Sequence, residues 1–339
     1  MSELSYLEKL MDGVEVEWKA VGDIAGYSTT KVDADKLDAT SFVGVDNLLA
    51  DKGGRIDATY QPNTARLTAY EPGDILLGNI RPYLKKVWMA ENNGGCSGDV
   101  LAIRILADCK KIISPEYLYY ALSSDSFFSY SMQHAKGAKM PRGSKDAILN
   151  YQIPIPCPSA PEKSLAIQSE IVRILDKFTA LTAELTAELT AELTMRKKQY
   201  NYYRDQLFSF NTEDVPHLPM GQKDIGEFIR GGTFQKKDFI DAGVGCIHYG
   251  QIYTYYGTYT EKTKTYISTA LAKKCKKAQK GDLIIATTSE NDEDVCKAVA
   301  WLGSKDIAVS SDACIYKHNL NPKYVSYFFQ TEQFQNQKR

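Results

Sequence analysis

The sequence contains few of the residues that form metal sites or disulfide frameworks. Among 339 residues there are four His and seven Cys, and no two Cys stand at CxxC spacing. This usage is typical of free thiols in a reducing compartment, so we expect a cytoplasmic protein. The chain also lacks an apolar run of about 18 residues that would span a membrane, and it does not open with the pattern of a secretion signal.

An excess of charge of one sign is lacking too. Lys and Arg number 41 against 42 Asp and Glu, a net charge of −1, so binding of a polyanion would require clustered basic residues. Neither a Gly-Lys dipeptide nor a GxGxxG segment is present, which excludes the common phosphate-binding loops. With 43% hydrophobic and 24% charged residues, the composition is that of a globular protein, and the length indicates two or three domains.

Short sequence blocks recur in the same order, at offsets from 201 (Asp23 to Asp224) to 213 (Ser97 to Ser310). The other matches are Gly44 with Gly250, Gly73-Asp74-Ile75 with Gly281-Asp282-Leu283, and Ser114-Pro115 with Asn321-Pro322. In each copy, Gly-Asp before an apolar run predicts a turn that leads into a buried strand. Ser or Asn before Pro predicts a capped helix start. The sequence therefore predicts a duplicated α+β domain.

The region between the copies, 151–211, has a different pattern. Alternating prolines in Ile153-Pro154-Ile155-Pro156 predict an extended segment. No Gly or Pro occurs from Glu162 to Phe210, which predicts a helix of about 45 residues and about 70 Å. Its apolar seam comprises Ile171, Phe178, Leu181, Leu185, Leu189 and Leu193. We interpret the helix as a coiled-coil-like spacer paired with a second helix; the alternative is a surface helix on its own.

Two segments resemble catalytic motifs. Asn321-Pro322-Lys323-Tyr324 resembles the Asn-Pro-Pro-Tyr loop of adenine methyltransferases, but helix capping explains both it and its counterpart Ser114-Pro115. Asp99 with Asp108 and Lys110 resembles a nuclease set, which the second copy does not repeat. We therefore expect a non-catalytic binder without metal, and keep as alternative a DNA methyltransferase or nuclease with its own active site.

Basic residues cluster in both copies. In the first they are Arg81, Lys85 and Lys86, and the Gly-containing loop residues Lys136, Lys139, Arg142 and Lys145. In the second, Lys236 is joined by seven Lys within 261–280. Such clusters suit contacts with the phosphates of DNA; the alternative is that they are solvated faces of a protein-interaction scaffold that does not contact DNA.

Reading of base edges requires planar hydrogen-bonding groups. The candidates in the first copy are Asn79, Arg81 and Arg142. Those in the second copy are Arg230, Gln235, Tyr249, Gln251, Thr287, Thr288 and Ser289. The tyrosines from Tyr253 to Tyr259 are also compatible with the packed face of a β-hairpin.

Taken together, the sequence resembles the specificity subunits of type I restriction–modification enzymes. The resemblance covers the whole chain and rests on the duplication, the opening Glu17-Trp18-Lys19, the Gly73-Asp74-Ile75-Leu76 strand, and the Pro-rich segment that precedes the helix with Gln168 and Ile171. Tandem Thr-Ala-Glu-Leu units in that helix are its most specific feature and resemble the IC subgroup.

The resemblance implies two target recognition domains, 1–150 (with a short N-terminal helix at Leu4, Tyr6, Leu7, Leu10 and Met11) and 212–339, joined by the helix in 151–211. Each would read one half of a split DNA sequence, and the helix would set the gap. It also implies two modification (methyltransferase) subunits that use S-adenosylmethionine, and restriction subunits that use ATP and Mg²⁺, in a host-defence system. A second helical region is expected after the second copy; residues up to Arg339 contain no counterpart, so we expect the Leu seam to be uncovered or to pair with another molecule.

Overall fold

The computed structural model describes residue 9 and residues 11–210, 217–289 and 294–338. The chain divides into two compact units, Met1–Thr186 and Ala187–Arg339, and the division falls within the long helix. Leu4, Tyr6, Leu7 and Leu10 of the expected leading helix lie outside the described residues. Among the described residues, none of the helices combines the length and the apolarity that a membrane span requires.

In its described residues, unit 1 contains ten strands, in two four-stranded sheets and one two-stranded sheet, and several short helices. The strands are β1 (Val16–Ala20), β2 (Ala25–Tyr27), β3 (Lys31–Asp33), β4 (Phe42–Val43), β5 (Arg66–Tyr70), β6 (Ile75–Gly78), β7 (Val87–Met89), β8 (Gly94–Cys96), β9 (Val100–Ile105) and β10 (Gln152–Pro156). The helices are α1 (Val21–Ile24), α2 (Pro115–Leu122), α3 (Asp125–Gln133), α4 (Lys145–Asn150) and the start of α5 (Pro161–Leu207), with 3-10 turns at Ala34–Lys36, Pro82–Leu84 and Ala107–Cys109. The sheet orders are β2-β9-β6-β7 and β3-β5-β8-β4, and β1 pairs with β10.

The part of unit 2 that the structure describes contains the end of α5 and nine strands. These are β11 (Gly226–Arg230), β12 (Val244–Ile247), β13 (Tyr259–Thr260), β14 (Thr265–Ile267), β15 (Lys277–Ala278), β16 (Leu283–Ala286), β17 (Ala298–Trp301), β18 (Ile307–Val309) and β19 (Ala313–His318). Its own helices are α6 (Tyr249–Thr254), α7 (Thr269–Ala272), α8 (Pro322–Phe328) and α9 (Glu332–Gln337), with a 3-10 turn at Lys236–Asp238. The sheet orders are β11-β19-β16-β17-β13 and β14-β12-β18-β15.

The two units repeat one topology, which confirms the predicted duplication. The antiparallel order β2-β9-β6-β7 recurs as β11-β19-β16-β17. The second sheet of each unit contains one parallel pair, with Val43 opposite Cys96 in unit 1 and Ile247 opposite Val309 in unit 2. The fold is thus α+β, with two repeated domains joined by a long helix.

The predicted Gly-Asp turns have the same construction in both units. Gly73 and Gly281 adopt positive φ angles of 87° and 99°, a conformation that is favourable only without a Cβ atom. The next residue closes each turn: Asp74 Oδ2 accepts from the backbone N–H of Glu71 at 2.8 Å, and Asp282 Oδ2 accepts from that of Gln279 at 2.8 Å. The strands that follow, β6 and β16, are buried along their whole length.

The predicted helix caps are confirmed as well. Ser114 Oγ accepts a hydrogen bond from the backbone N–H of Tyr117 at 3.2 Å, and Asn321 Oδ1 accepts one from Tyr324 at 3.1 Å. The Asn321-Pro322 segment is therefore the start of α8, and its likeness to a methyltransferase loop has a structural explanation.

The Pro-rich segment and the long helix also form as predicted. Strand β10 pairs antiparallel with β1 and buries Ile153 and Ile155 in the core of unit 1. Helix α5 runs without interruption for 47 residues. Its first turns are anchored on unit 1, where Ile171 packs against the core. The rest of the seam is exposed in the described structure: Phe178, Leu181, Leu185, Leu189 and Leu193 each have 51–61% of the residue surface accessible.

Candidate nucleic-acid interface

In unit 1, the chain that follows β6 meets the basic loop 134–144. The backbone N–H of Asn79 donates to the carbonyl of Asp99 at 2.8 Å, and the N–H of Gly143 donates to the carbonyl of Asn79 at 3.0 Å. The N–H of Arg81 donates to the carbonyl of Pro141 at 2.7 Å. The structure therefore brings the three predicted base-reading residues of this copy, Asn79, Arg81 and Arg142, to one surface.

The loop itself is closed by a reciprocal pair of backbone hydrogen bonds between Lys136 and Arg142, both of 2.9 Å. Arg142 is exposed, and its Nη2 lies 3.1 Å from Asp99 Oδ1. Lys136, Lys139 and Lys145 are exposed, and the ammonium group of Lys145 lies 5.8 Å from the centre of the Tyr27 ring. These cations are accessible to a phosphate backbone.

The Asn79 side chain is placed less favourably for base reading. Its Oδ1 atom is buried and accepts no hydrogen bond from the described residues. A Cβ atom added to Gly143 would lie 2.7 Å from this oxygen, so the carboxamide is packed closely against the loop. A bidentate contact with adenine needs both the amide oxygen and the amide nitrogen. It therefore requires a rotation of this side chain.

The turn from Arg81 to Lys85 has a strained backbone. Both residues are in the left-handed region, with φ of 53° and 50°, which non-glycine residues adopt only when the surrounding structure imposes it. Lys85 Nζ contacts Asp125 at 2.9 Å. Lys86 Nζ donates to the carbonyl of Val45 at 2.7 Å, so Lys86, half-buried, is engaged inside unit 1.

After β16, unit 2 repeats the backbone contact that Asn79 makes after β6 in unit 1. The N–H of Thr287 donates to the carbonyl of Asp312 at 3.1 Å, as Asn79 does to Asp99 in unit 1. The carbonyl of Thr288 accepts from the Tyr253 hydroxyl at 2.9 Å. Thr287 and Thr288 are exposed, and Ser289 is partly exposed.

Tyr249, Gln251 and Tyr253 lie on helix α6. The β-hairpin interpretation is therefore wrong for Tyr253. His248 caps this helix through its side chain. Gln251 Oε1 accepts from the N–H of His248 at 3.1 Å, and its Nε2 donates to Thr265 Oγ1 at 3.1 Å. The carboxamide of Gln251 is therefore used within unit 2. The N–H of Tyr249 donates to Ser310 Oγ at 2.8 Å.

The remaining predicted residues of unit 2 are at the surface. Arg230 Nε donates to the carbonyl of Ser311 at 3.2 Å. Gln235 and Lys236 lie at an exposed turn, where the Gln235 N–H donates to Asp238 Oδ2 at 2.8 Å. The seven lysines between 261 and 280 are all exposed.

The surroundings of His248 favour its neutral form. Burial lowers its pKa, the nearby charge of Lys236 lowers it further, and Asp312 opposes the shift. A neutral ring is consistent with the capping contact, in which Nδ1 accepts from the N–H of Gly250 at 3.3 Å.

Sequence patterns missed two residues of this surface. Lys52 and Asp125 join Lys85 in one ion-pair network, with 3.4 Å between Lys52 Nζ and Asp125 Oδ1. Lys52 follows Asp51 and precedes two glycines, which signals only a turn. In the part of the chain that the structure describes, His, Cys, Asp and Glu form no group suited to a metal ion.

Comparison with known proteins identifies the relatives of this fold. Residues 71–195 match the family model of the type I restriction modification DNA specificity domain. The chain is 42% identical over 246 residues to the specificity subunit of the Escherichia coli type I restriction enzyme EcoR124I/EcoR124II, with 70% of this chain and 54% of that subunit covered. This chain is a relative of the type I specificity subunits. A second such subunit, of the Escherichia coli EcoprrI enzyme, is 39% identical over 255 residues, with 68% and 58% covered.

The chain thus spans a little over half the length of these two type I specificity subunits. Among solved structures, a chain of a type I restriction–modification system superimposes with a TM-score of 0.59 at 19% sequence identity. The match covers 92% of this chain and 78% of the other. At that identity the likeness concerns the fold, which it supports over nearly the whole chain.

Proposed function

We propose that the chain recognises a bipartite DNA sequence as the specificity subunit of a type I restriction–modification enzyme. The observation that carries the proposal is that the same backbone contact follows β6 in unit 1 and β16 in unit 2. The Asn79–Asp99 and Thr287–Asp312 backbone contacts are equivalent, and each presents polar residues at the surface of its unit. Two related surfaces with different side chains suit two half-sequences that differ.

The side-chain chemistry of these residues suggests which of them contact bases and which contact phosphates. Arg142 and Arg81 have the planar fork that reads guanine, and Arg230 offers the same group in unit 2. Lys136, Lys139 and Lys145 are suited to phosphates, which fix orientation without reading sequence. Gln251 and Lys86 are used internally and belong to the framework of the units.

Catalysis would then belong to partner subunits, and this chain would deliver them to DNA. Two modification subunits would bind S-adenosylmethionine and methylate adenine, and restriction subunits would use ATP and Mg²⁺. The exposed seam of α5 is suited to helix packing, because five large apolar side chains recur along it. Continuous α5 would act as the spacer between half-sites, and such an assembly would work in the cytoplasm.

A methylation map tests this function. The full chain is co-expressed with the modification subunits of its own system, and the sequence context of each methylated adenine is determined. The expected result is two short conserved half-sequences with a constant gap. Methylation without such a bipartite context would contradict the proposal, and binding of S-adenosylmethionine by the chain alone would favour the enzyme alternative.

The salt dependence of binding is a second test. A linear fall of the logarithm of DNA affinity with the logarithm of salt concentration would exclude a scaffold that does not contact DNA.

A further inference from the structure

Two lysines in unit 1 converge on a single carboxylate oxygen. Asp125 Oδ1 lies 2.9 Å from Lys85 Nζ and 3.4 Å from Lys52 Nζ. The Asp125 side chain is 73% exposed. Two ammonium groups thus approach one oxygen of a largely exposed carboxylate, which is an arrangement that an oxygen of a DNA phosphate can also adopt.

The positions of both lysines are fixed by the backbone. The N–H of Asp51 donates to the carbonyl of Leu84 at 2.9 Å, and the N–H of Lys52 donates to the carbonyl of Lys85 at 3.0 Å. Lys52 and Lys85 have φ of 63° and 50°. Side-chain-bearing residues are rarely found there, and such conformations cluster at ligand-binding sites. Two separate loops thus bring an ammonium group each to the same place.

The site formed by Lys52 and Lys85 adjoins the candidate nucleic-acid interface. Lys85 ends the turn that begins at Arg81, and Arg81 is joined through its backbone to the basic loop at Pro141. Helix α3, which begins at Asp125, packs against the same Pro82–Leu84 turn. A duplex that contacts Arg81 and Arg142 would therefore pass close to Lys85.

A simpler explanation accounts for only part of the arrangement. An acidic residue in the first turn of a helix is favourable because of the helix dipole, and exposed ion pairs contribute little to stability. Glu116 also lies in the first turn of its helix, α2, and forms none of the ion pairs found among the described residues. The dipole therefore explains Asp125 itself, whereas it does not explain two lysines in left-handed conformations around one of its oxygens.

We propose that Lys52 and Lys85 form a binding site for one phosphate of duplex DNA, and that Asp125 is an internal competitor which occupies this site when DNA is absent. The inference rests on the proposed function. Asp125 would lower affinity for DNA of any sequence, because the phosphate that binds Lys52 and Lys85 must first displace the Asp125 carboxylate. Base contacts would then supply a larger share of the total binding energy at the target.

The test uses the full chain assembled with its modification subunits and a duplex that lacks the target sequence. Affinity is measured by fluorescence anisotropy over a range of salt concentrations. Asp125→Asn keeps the shape of the side chain and removes its charge. We expect several-fold tighter binding and a slope of log affinity against log salt that is steeper by about 0.9 for each additional phosphate that the protein neutralises. Asp125→Ser serves as a second variant, and thermal unfolding verifies that both are folded.

Glu116→Gln is the control, because it removes the same charge from the first turn of a neighbouring helix. It should leave the slope unchanged. Adding Lys52→Ala and Lys85→Ala to Asp125→Asn should abolish the increase in affinity. A slope that is unchanged in both Asp125 variants, or changed equally by Glu116→Gln, overturns the inference while salt-dependent binding by the unmodified chain still supports the proposed function. Absence of salt-dependent binding by the unmodified assembly overturns both.

Discussion

The side-chain amide of Gln168 donates a 2.7 Å hydrogen bond to the carbonyl oxygen of Ile112. Its oxygen accepts from the backbone N–H of Ser114 at 3.0 Å, and Gln168 is fully buried. Ser114 also caps α2 through Tyr117. One side chain on α5 thus satisfies two backbone groups of the segment that leads into α2, and it fastens the long helix to unit 1.

Replacement of Gln168 should lower the free energy of unfolding. Gln168→Leu leaves the part-buried N–H of Ser114 without its side-chain acceptor and leaves the Ile112 carbonyl only the 3.5 Å contact with Ser164 Oγ. An unsatisfied buried group costs about 1–3 kcal/mol. We expect a lower free energy of unfolding in urea, with the loss confined to the transition of unit 1. Glu188→Gln, on the exposed part of α5, should change stability by less than about 0.5 kcal/mol. Equal stability of the Gln168 variant and the unmodified chain would contradict this role.

Arg142 and Lys139 lie in one loop and are expected to behave differently. Arg142→Lys keeps the charge and loses the planar fork, so discrimination between bases should fall by about 1–3 kcal/mol while affinity for non-target DNA is retained. Lys139→Ala should weaken binding to all sequences and reduce the salt slope by about 0.9. Competition binding with single-base variants of the target measures both effects. Unchanged discrimination in Arg142→Lys would show that this residue contacts only phosphate.

Gln251 should affect stability and leave sequence preference unchanged. Both ends of its carboxamide are bonded within unit 2, to His248 and Thr265. Gln251→Ala should therefore lower the free energy of unfolding by about 1 kcal/mol. Its methylation context, measured with the modification subunits, should remain that of the unmodified chain. A changed half-sequence would mean that the side chain leaves these partners when DNA binds.

The length of α5 should determine the gap between half-sequences. Deletion of residues 190–193 shortens the helix by about 6 Å, against about 3.4 Å for each base pair. We expect the gap to shorten by one or two base pairs with both half-sequences unchanged. Replacement of Thr190, Glu192 and Leu193 by alanine, which makes this segment all alanine, keeps the length and should keep the gap. Methylation at the original spacing after the deletion would rule out the spacer.

Protonation of His248 should destabilise unit 2. Its pKa in the folded state is lowered from the ordinary value of 6.5, first by burial and then by Lys236. The unfolded chain therefore takes up the proton at higher pH than the folded one, so stability is full above about 6.5 and declines as pH falls below that value. His248→Asn keeps a side-chain acceptor for the cap and should flatten this decline. Urea unfolding at about pH 7.5 and about pH 5.5 measures it, and an equal decline in both proteins would exclude His248 as a cause.

Features that depend on neighbouring residues were predictable from the sequence. The Gly73-Asp74 turn and the Ser114 and Asn321 caps each depend on a few consecutive residues, and the long helix follows from one segment without Gly or Pro. The contacts of single polar side chains were not. Lys86 bonds Val45 and Lys52 bonds Asp125, and no local pattern connects residues that far apart in the chain. The base-contacting residues stay predictions, because the chemistry of an exposed Arg or Thr does not reveal what it binds.

The equivalent contacts at Asn79 and Thr287 have a consequence for variation. In both, the donor is the main-chain N–H, so the contact itself places no demand on the side chain beyond the exclusion of proline, which has no N–H to give. At the exposed Thr287, residue identity is thereby uncoupled from folding, whereas at Asn79 the close packing against Gly143 also limits the side chain. A library randomised at 287 should therefore consist largely of folded proteins, and one randomised at 79 should contain a smaller share of them.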